Sequence, residues 1–342
     1  MRPSLLLLSA LLTAAAARAA DCPCAKTLLA RPDAFPTLVN PACSHCRDEA
    51  KRRAGELRGD DRVLCWVRGK YDGGAIPFRF FLNPYRVISD TYGVFVHDAD
   101  AGFARGFAPS LDFTFLGWRN GVMVMRHKDG TLFSCLSGVA FDGPRKGERL
   151  TPFPTIVTDW GWWLQQYPGT VAYHMYAKYQ PIDLPAKADP DALASRGPVD
   201  PRLPAEEPVL GVWDGERAYA WPLRMPADTV RLKEVGPTDR RVLLLWYGKT
   251  RTATAYAAVA EKLKPTDRLG FKGERIEAKP VHLAIGRGGD SPFLDQDTGS
   301  YFDVAGRCVE GPLKGWTLEP LDAVQVKWFA WAGEYPKTEV IK

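Results

Sequence analysis

The chain repeats itself, and that repeat limits its architecture more than any other feature. Residues 130–170 read GTLFSCLSGVAFDGPRKGERLTPFPTIVTDWGWWLQQYPGT, and residues 299–338 read GSYFDVAGRCVEGPLKGWTLEPLDAVQVKWFAWAGEYPKT. One residue deleted near Ser137 brings the two into gapless register. Gly143-Pro144 then falls on Gly311-Pro312, Lys146-Gly147 on Lys314-Gly315, and Leu150 on Leu318. Trp160 and Trp163 fall on Trp328 and Trp331, and Tyr167-Pro168 on Tyr335-Pro336. Upstream, Val63-Leu64 leading to Gly69 matches Val209-Leu210 leading to Gly215. Such a chain is expected to fold as two related modules, and any function has to be read against the duplication.

Short apolar runs separated by Gly, Pro, Asn and Asp fill both copies, among them RVLCWVRG, YGVFVHD, GVMVMRH, PVLGVW and RRVLLLWYG. Such punctuation predicts antiparallel β structure. The fold class expected is mainly β with a few short helices, a β-rich α+β arrangement of two tandem related modules. The boundaries are a signal peptide at 1–19, a cysteine-bearing N-terminal segment at 20–60, a first module at 61–182, a Pro-rich linker at 183–206 and a second module at 207–342. The stretch 181–208 holds seven prolines and few large apolar side chains, which marks an extended connection. Three helices are predicted, the second of them in both copies. One follows Asn40-Pro41 and ends at Gly59. The second opens at Thr158 or Asp159 and carries Trp160 and Trp163 on one face, as Trp328 and Trp331 are in the second copy. The third spans TATAYAAVAEKL, 252–263, whose alanines favour a helix and account for the extra length of the second copy. The four tryptophans are expected to be structural core.

Arg2, the apolar run Leu5–Leu12 and Ala17-Arg18-Ala19 have the composition of a Sec-type secretory leader cleaved near Ala19. The expected location is therefore secreted and periplasmic. The apolar run is too short for a stable membrane insertion. The net charge of +5 is spread through the chain rather than clustered, which argues against nucleic acid as a partner. An envelope protein or a small ligand is the partner class left.

Several motifs resemble the bacterial family catalogued as domain of unknown function 3179. The closing W-x-x-W…P pattern stands as Trp160, Trp163 and Pro168, and again as Trp328, Trp331 and Pro336. The opening V-L-G-V with a later A-Y is Val209 to Val212 with Ala218-Tyr219, and Ser89-Asp90-Thr91 resembles the end of an N-D-T segment. The resemblance covers most of 61–180 and 207–342, as two divergent tandem copies, and implies no particular chemistry. It also exposes departures. Tyr85 stands where the family has a histidine, and the family's C-P-L-C segment is replaced by His97-Asp98-Ala99-Asp100 in the first copy and by Tyr247 to Arg251 in the second.

Two constellations could carry chemistry. Cys22-x-Cys24 and Cys43-x-x-Cys46 fit two disulfides in an oxidising compartment, a four-thiolate metal site holding zinc or copper, or a redox pair. Cys65, Cys135 and Cys308 sit in strand-like runs and are expected to be buried thiols. His97 ends an apolar strand and is followed by Asp98 and Asp100. It is either a solvated turn or, with Asp100, part of a tentative metal site that needs a third ligand such as Asp98 or Asp112. No serine has a nucleophile's setting, and catalytic residues stay unassigned. The leading functional class is a secreted envelope binding or accessory protein with metal or thiol chemistry. The alternatives are an enzyme with a His/Asp metal centre in the first module, and a purely structural or interaction module.

Overall fold

A computed structural model describes residues 28–40, 57–68, 72–81, 85–91, 93–108, 112–172, 188–264 and 273–342. The chain is β-rich, with short helices, and among the described residues its strands form six sheets, three in each half. Sheet A takes Ile156–Asp159, Arg62–Arg68, Asp72–Pro77 and Val171–Ala172 in that order. Sheet A′ takes Asp322–Lys327, Pro208–Trp213, Ala218–Pro222 and Glu339–Val340. Both have two antiparallel pairings followed by one parallel pairing at the last strand.

Sheet B is built on the hairpin Val94–Asp98 and Phe103–Phe107, flanked by Val87–Ser89, Thr37–Val39 and Pro152–Phe153. Sheet B′ is built on the hairpin Val242–Tyr247 and Thr252–Leu263, flanked by Val230–Val235, Arg275–Pro280 and Thr317–Pro320. In both hairpins four residues separate the last paired positions, Asp98 with Phe103 and Tyr247 with Thr252. Both turns end in a left-handed residue, Gly102 in one and Arg251 in the other. Sheet C (Leu28–Ala30, Phe113–Arg119, Val122–His127, Leu132–Ser134, Ala140–Asp142) and sheet C′ (Leu283–Ile285, Phe293–Asp295, Tyr301–Phe302, Cys308–Glu310) complete the halves.

The segment expected as a helix, 252–263, is a strand. It is paired along its length by 242–247 and then by 275–280 and 317–320. These pairings outweigh the helix propensity of its alanines, and Thr252, Thr254, Tyr256 and Val259 suit a strand. The helix expected after Asn40-Pro41 lies outside the described residues, except for its last positions. The proline-dense stretch carries a one-turn helix, Pro190–Ala194, capped by the Asp189 side chain. It is fastened on both sides. Gly121 N donates to Ser195 Oγ at 3.0 Å, and Trp328 Nε1 donates to Asp200 O at 2.9 Å.

Strand 62–68 is buried on both faces, Val63 and Cys65 on one and Leu64 and Trp66 on the other, as a sheet covered on two sides requires. Trp66 stacks on Phe95 of sheet B, with centroids 4.6 Å apart. The other cover comes from the opposite half: Leu243, Tyr247 and Tyr256 join the cluster of Val63, Cys65 and Trp163. The second half repeats this. Val209, Val326 and Trp331 pack with Val94, Val96 and Phe107 of the first half, while Leu210 and Val212 pack with Leu244 of their own. The two halves therefore share cores.

The helices Trp160–Gln166 and Trp328–Glu334 occupy equivalent places. Trp160, Trp163, Trp328 and Trp331 are all buried. Trp163 Nε1 donates to Thr170 Oγ1 at 2.8 Å and Trp331 Nε1 to Thr338 Oγ1 at 3.0 Å. The rings stack on Tyr167 and Tyr335 at 4.2 and 4.3 Å. Glycines make room for the indoles. A Cβ at Gly73 would stand 2.6 Å from the Trp163 ring, and one at Gly211 2.2 Å from the Trp331 ring.

Replacing Trp331 by Ala should lower the unfolding free energy by ~3–5 kcal/mol. Thr338→Val, which strands a buried indole N–H, should cost about 1–3 kcal/mol. Urea midpoints check both, and a Trp331→Ala variant that melts with the wild type would show that the indole is not part of the core.

Candidate functional site

A cleft of about 690 Å³ lies where sheet A and the helix Trp160–Gln166 meet strands 252–263 and 317–320 of the other half. Its wall is mostly apolar and aromatic, with Trp66, Phe153, Tyr256 and Trp316 among the lining side chains. Regular β geometry puts these residues there. Strand 62–68 contributes Cys65, Trp66 and Val67 to the wall, and strand 252–263 contributes Ala253 to Tyr256 and Leu263.

Arg307 is the cleft's principal polar group. Its Nε donates to Asp303 Oδ2 at 3.2 Å, its Nη2 to Gln166 Oε1 at 2.7 Å, and its Nη1 to Gln166 O at 3.3 Å. The guanidinium lies over the Tyr167 ring, 4.9 Å from its centroid. Asp303 is wholly buried behind it, and burial pushes that carboxyl up to about 6 against the pull of Arg307. Burial also raises the Cys65 thiol well above its usual range, so it is a poor nucleophile. Tyr256 Oη and Thr254 Oγ1 both donate to Val304 O, at 3.0 and 2.9 Å.

The equivalent place in the other half is filled. Arg149 stands opposite Val139 in the same bridge that sets Thr317 opposite Arg307. The Arg149 guanidinium lies 5.7 Å from the Tyr335 ring centroid and 5.1 Å from that of Trp213. It donates to Tyr335 Oη at 3.0 Å and to Ser137 O at 3.1 Å, and it lies 3.7 Å from Asp322. Arg105 fills the remainder, with Nη2 donating to Asp322 Oδ1 at 2.6 Å. In the open cleft, smaller or uncharged residues hold the matching positions: Thr317 for Arg149, Thr254 for Arg105, Val67 for Trp213 and Pro154 for Asp322.

The site residues expected from sequence fall elsewhere. Cys22, Cys24, Cys43 and Cys46 lie outside the described residues. Cys65, Cys135 and Cys308 are buried free thiols. His97 and Asp100 are buried rather than solvated, at 4% and 2% exposure. The imidazole packs on Phe78, with centroids 3.9 Å apart, and burial holds its pKa well below the usual range, with Arg86 adding to the effect. One Asp100 carboxylate oxygen accepts from the backbone N–H of Asp189. Asp98 is engaged by the backbone as well. Its Oδ1 accepts from the N–H groups of Asp100 and Ala101 at 3.1 and 2.9 Å, and its Oδ2 from that of Met123 at 2.8 Å. Asp112 pairs with Lys128 at 2.6 Å. Among the described residues no group of three or more His, Cys, Asp or Glu side chains could hold a metal ion, and no helix is long and apolar enough to cross a membrane. Cys65 and Trp163, expected as buried residues, do line the cleft; the other cleft residues escaped the sequence reading because each is unremarkable alone and they are far apart in the chain. The available signal was a difference between matching positions of the two halves, bulky or charged in one and small in the other.

Burial, followed by the neighbouring Asp100, pushes the Asp98 carboxyl up to about 7. A carboxyl raised on folding binds protons more readily in the native state than in the unfolded one. Its contribution is therefore full at low pH and is lost as pH rises through about 7. The stability of the wild type relative to Asp98→Asn should fall between pH 5 and pH 8, as checked by denaturant titration at each pH. A constant difference would show that Asp98 does not titrate there.

The sequence profile described as protein of unknown function (DUF3179) matches residues 115–338 as one span running through the expected linker. No curated protein and no solved structure matches the chain. With that span covering well over half of its length, the chain belongs to the DUF3179 family of proteins of unknown function.

Proposed function

We propose that this chain is an envelope binding protein made of two divergent copies of the family module, and that it holds a small ligand in the cleft between sheet A and strands 252–263 and 317–320. The observation that carries the reading is the contrast between equivalent places: one closed by Arg149, Arg105 and Asp322, the other open by about 690 Å³. That volume is within the range of small-molecule sites, and the apolar wall with a few polar groups suits one. The leader at 1–19 supports export to the periplasm. Acid–base catalysis needs a titratable group aimed at the reacting atoms. Of the described residues lining the cleft none is a carboxylate or a histidine, and burial raises Cys65, Tyr167 and Tyr256 further from neutrality, so the wall offers poor acids and bases and favours binding over an enzyme.

The test uses N-phenyl-1-naphthylamine, a neutral apolar dye that fluoresces when it leaves water. The chain should bind it saturably at one dye per molecule. The double variant Val67→Trp, Thr317→Arg, which places the residues of the closed site in the open one, should bind at least about tenfold more weakly, near 1.4 kcal/mol. Equal binding by the double variant would place the dye elsewhere and remove the support for this cleft.

A further inference from the structure

We propose that the ligand of this cleft is an amphipathic acid, with an apolar or aromatic body and a carboxylate or comparable anion that pairs with Arg307 and Lys264. The proposal rests on the binding reading above and adds the chemistry of the ligand. Arg307 and Lys264 are the only charged side chains among the described residues that line the cleft, and both are basic. An anion entering an apolar-walled cleft beside two cations is favoured by charge complementarity, whereas a cation is disfavoured.

The closed site shows how the molecule satisfies such a guanidinium internally. Arg149 and Arg307 lie over the equivalent rings, Tyr335 and Tyr167, although they come from opposite sides of the equivalent bridge. In the closed site a carboxylate, Asp322, lies beside both Arg149 and Arg105. In the open site that position is Pro154, an exposed residue on the cleft wall that brings no charge. Asp303 and Gln166 hold Nε and Nη2 of Arg307, while Nη1 has only the 3.3 Å contact to a carbonyl. Lys264 is exposed at the rim, and its partner Glu274 is 3.9 Å away, a loose pair that solvent screens. Asp303 already meets Arg307 at Nε, so the ligand's anion takes the weakly held Nη1 together with Lys264, and its body covers the aromatic wall.

Three probes with one ring system separate the possibilities: 2-naphthoate, 2-naphthalenemethanol and 2-naphthylmethylamine, titrated calorimetrically into the full chain at pH 7.5. Naphthoate should bind at least about tenfold tighter than the alcohol, and the amine weakest. Pro154→Asp, which supplies the internal carboxylate of the closed site, should weaken naphthoate about tenfold and leave the alcohol within about twofold. Lys264→Gln should weaken naphthoate severalfold and leave the alcohol unchanged. Equal binding of all three probes, or a preference for the amine, would overturn the acid as ligand while the cleft remains a binding site. Failure of all three, together with failure of the neutral dye, would overturn the proposal along with the reading on which it rests.

Discussion

The structure depends on a reciprocal clasp, in which the tip of each half's central hairpin is held by the edge of the other half's sheet. At one end, Lys327 gives its backbone N–H to Ala101 O at 2.9 Å and its Nζ to Asp100 O at 2.8 Å. At the other, Arg62 donates to Thr250 O and Arg251 O while its charge meets Asp159 at 2.8 Å. A buried hydroxyl contact, Thr252 Oγ1 to Thr158 Oγ1 at 2.8 Å, closes that end. Hairpin turns carry backbone groups that must be satisfied when buried. Asp98 takes two N–H groups of its own turn, but donors to the carbonyls of Asp100, Ala101, Thr250 and Arg251 come from the partner half, which burying these turns requires. The shared clusters around Cys65 and around Trp331 follow from the same geometry.

The clasp also produces the cleft. Sheet A and strands 252–263 and 317–320 are brought together by the hold on the Thr250–Thr252 turn, and what separates them beyond it is decided by side-chain size. Where Arg149, Trp213 and Asp322 meet, the space is filled and neutralised internally. Where Thr317, Val67 and Pro154 meet, it is left open with Arg307 on its wall. The two halves have equivalent places, and different side chains at a handful of positions close one of them.

Much of the fold could be read from the chain. The repeated G-P, K-G, W-x-x-W and Y-P series placed both Trp helices, and the apolar runs bounded by turn residues placed the strands 62–68 and 208–213. An apolar run says that a strand is covered, not which segment covers it, so the crossing of cores between halves was out of reach. The strand 252–263 shows the same limit, since its alanines favour a helix until three neighbouring strands claim the backbone. His97 and Asp100 were singled out for chemistry by residue type, yet His97 lies near the end of a strand and packs on Phe78, and Asp100 lies in a turn held by Lys327. The cleft joins Val67, Gln166, Arg307 and Thr317, residues that no local pattern links.

Equilibrium unfolding of the whole chain tests the clasp most directly. Urea titration followed together by tryptophan fluorescence and far-ultraviolet circular dichroism should give one coincident transition, because the halves share their cores. Two resolved transitions, each losing part of the β signal, would contradict the account by showing that the halves fold independently.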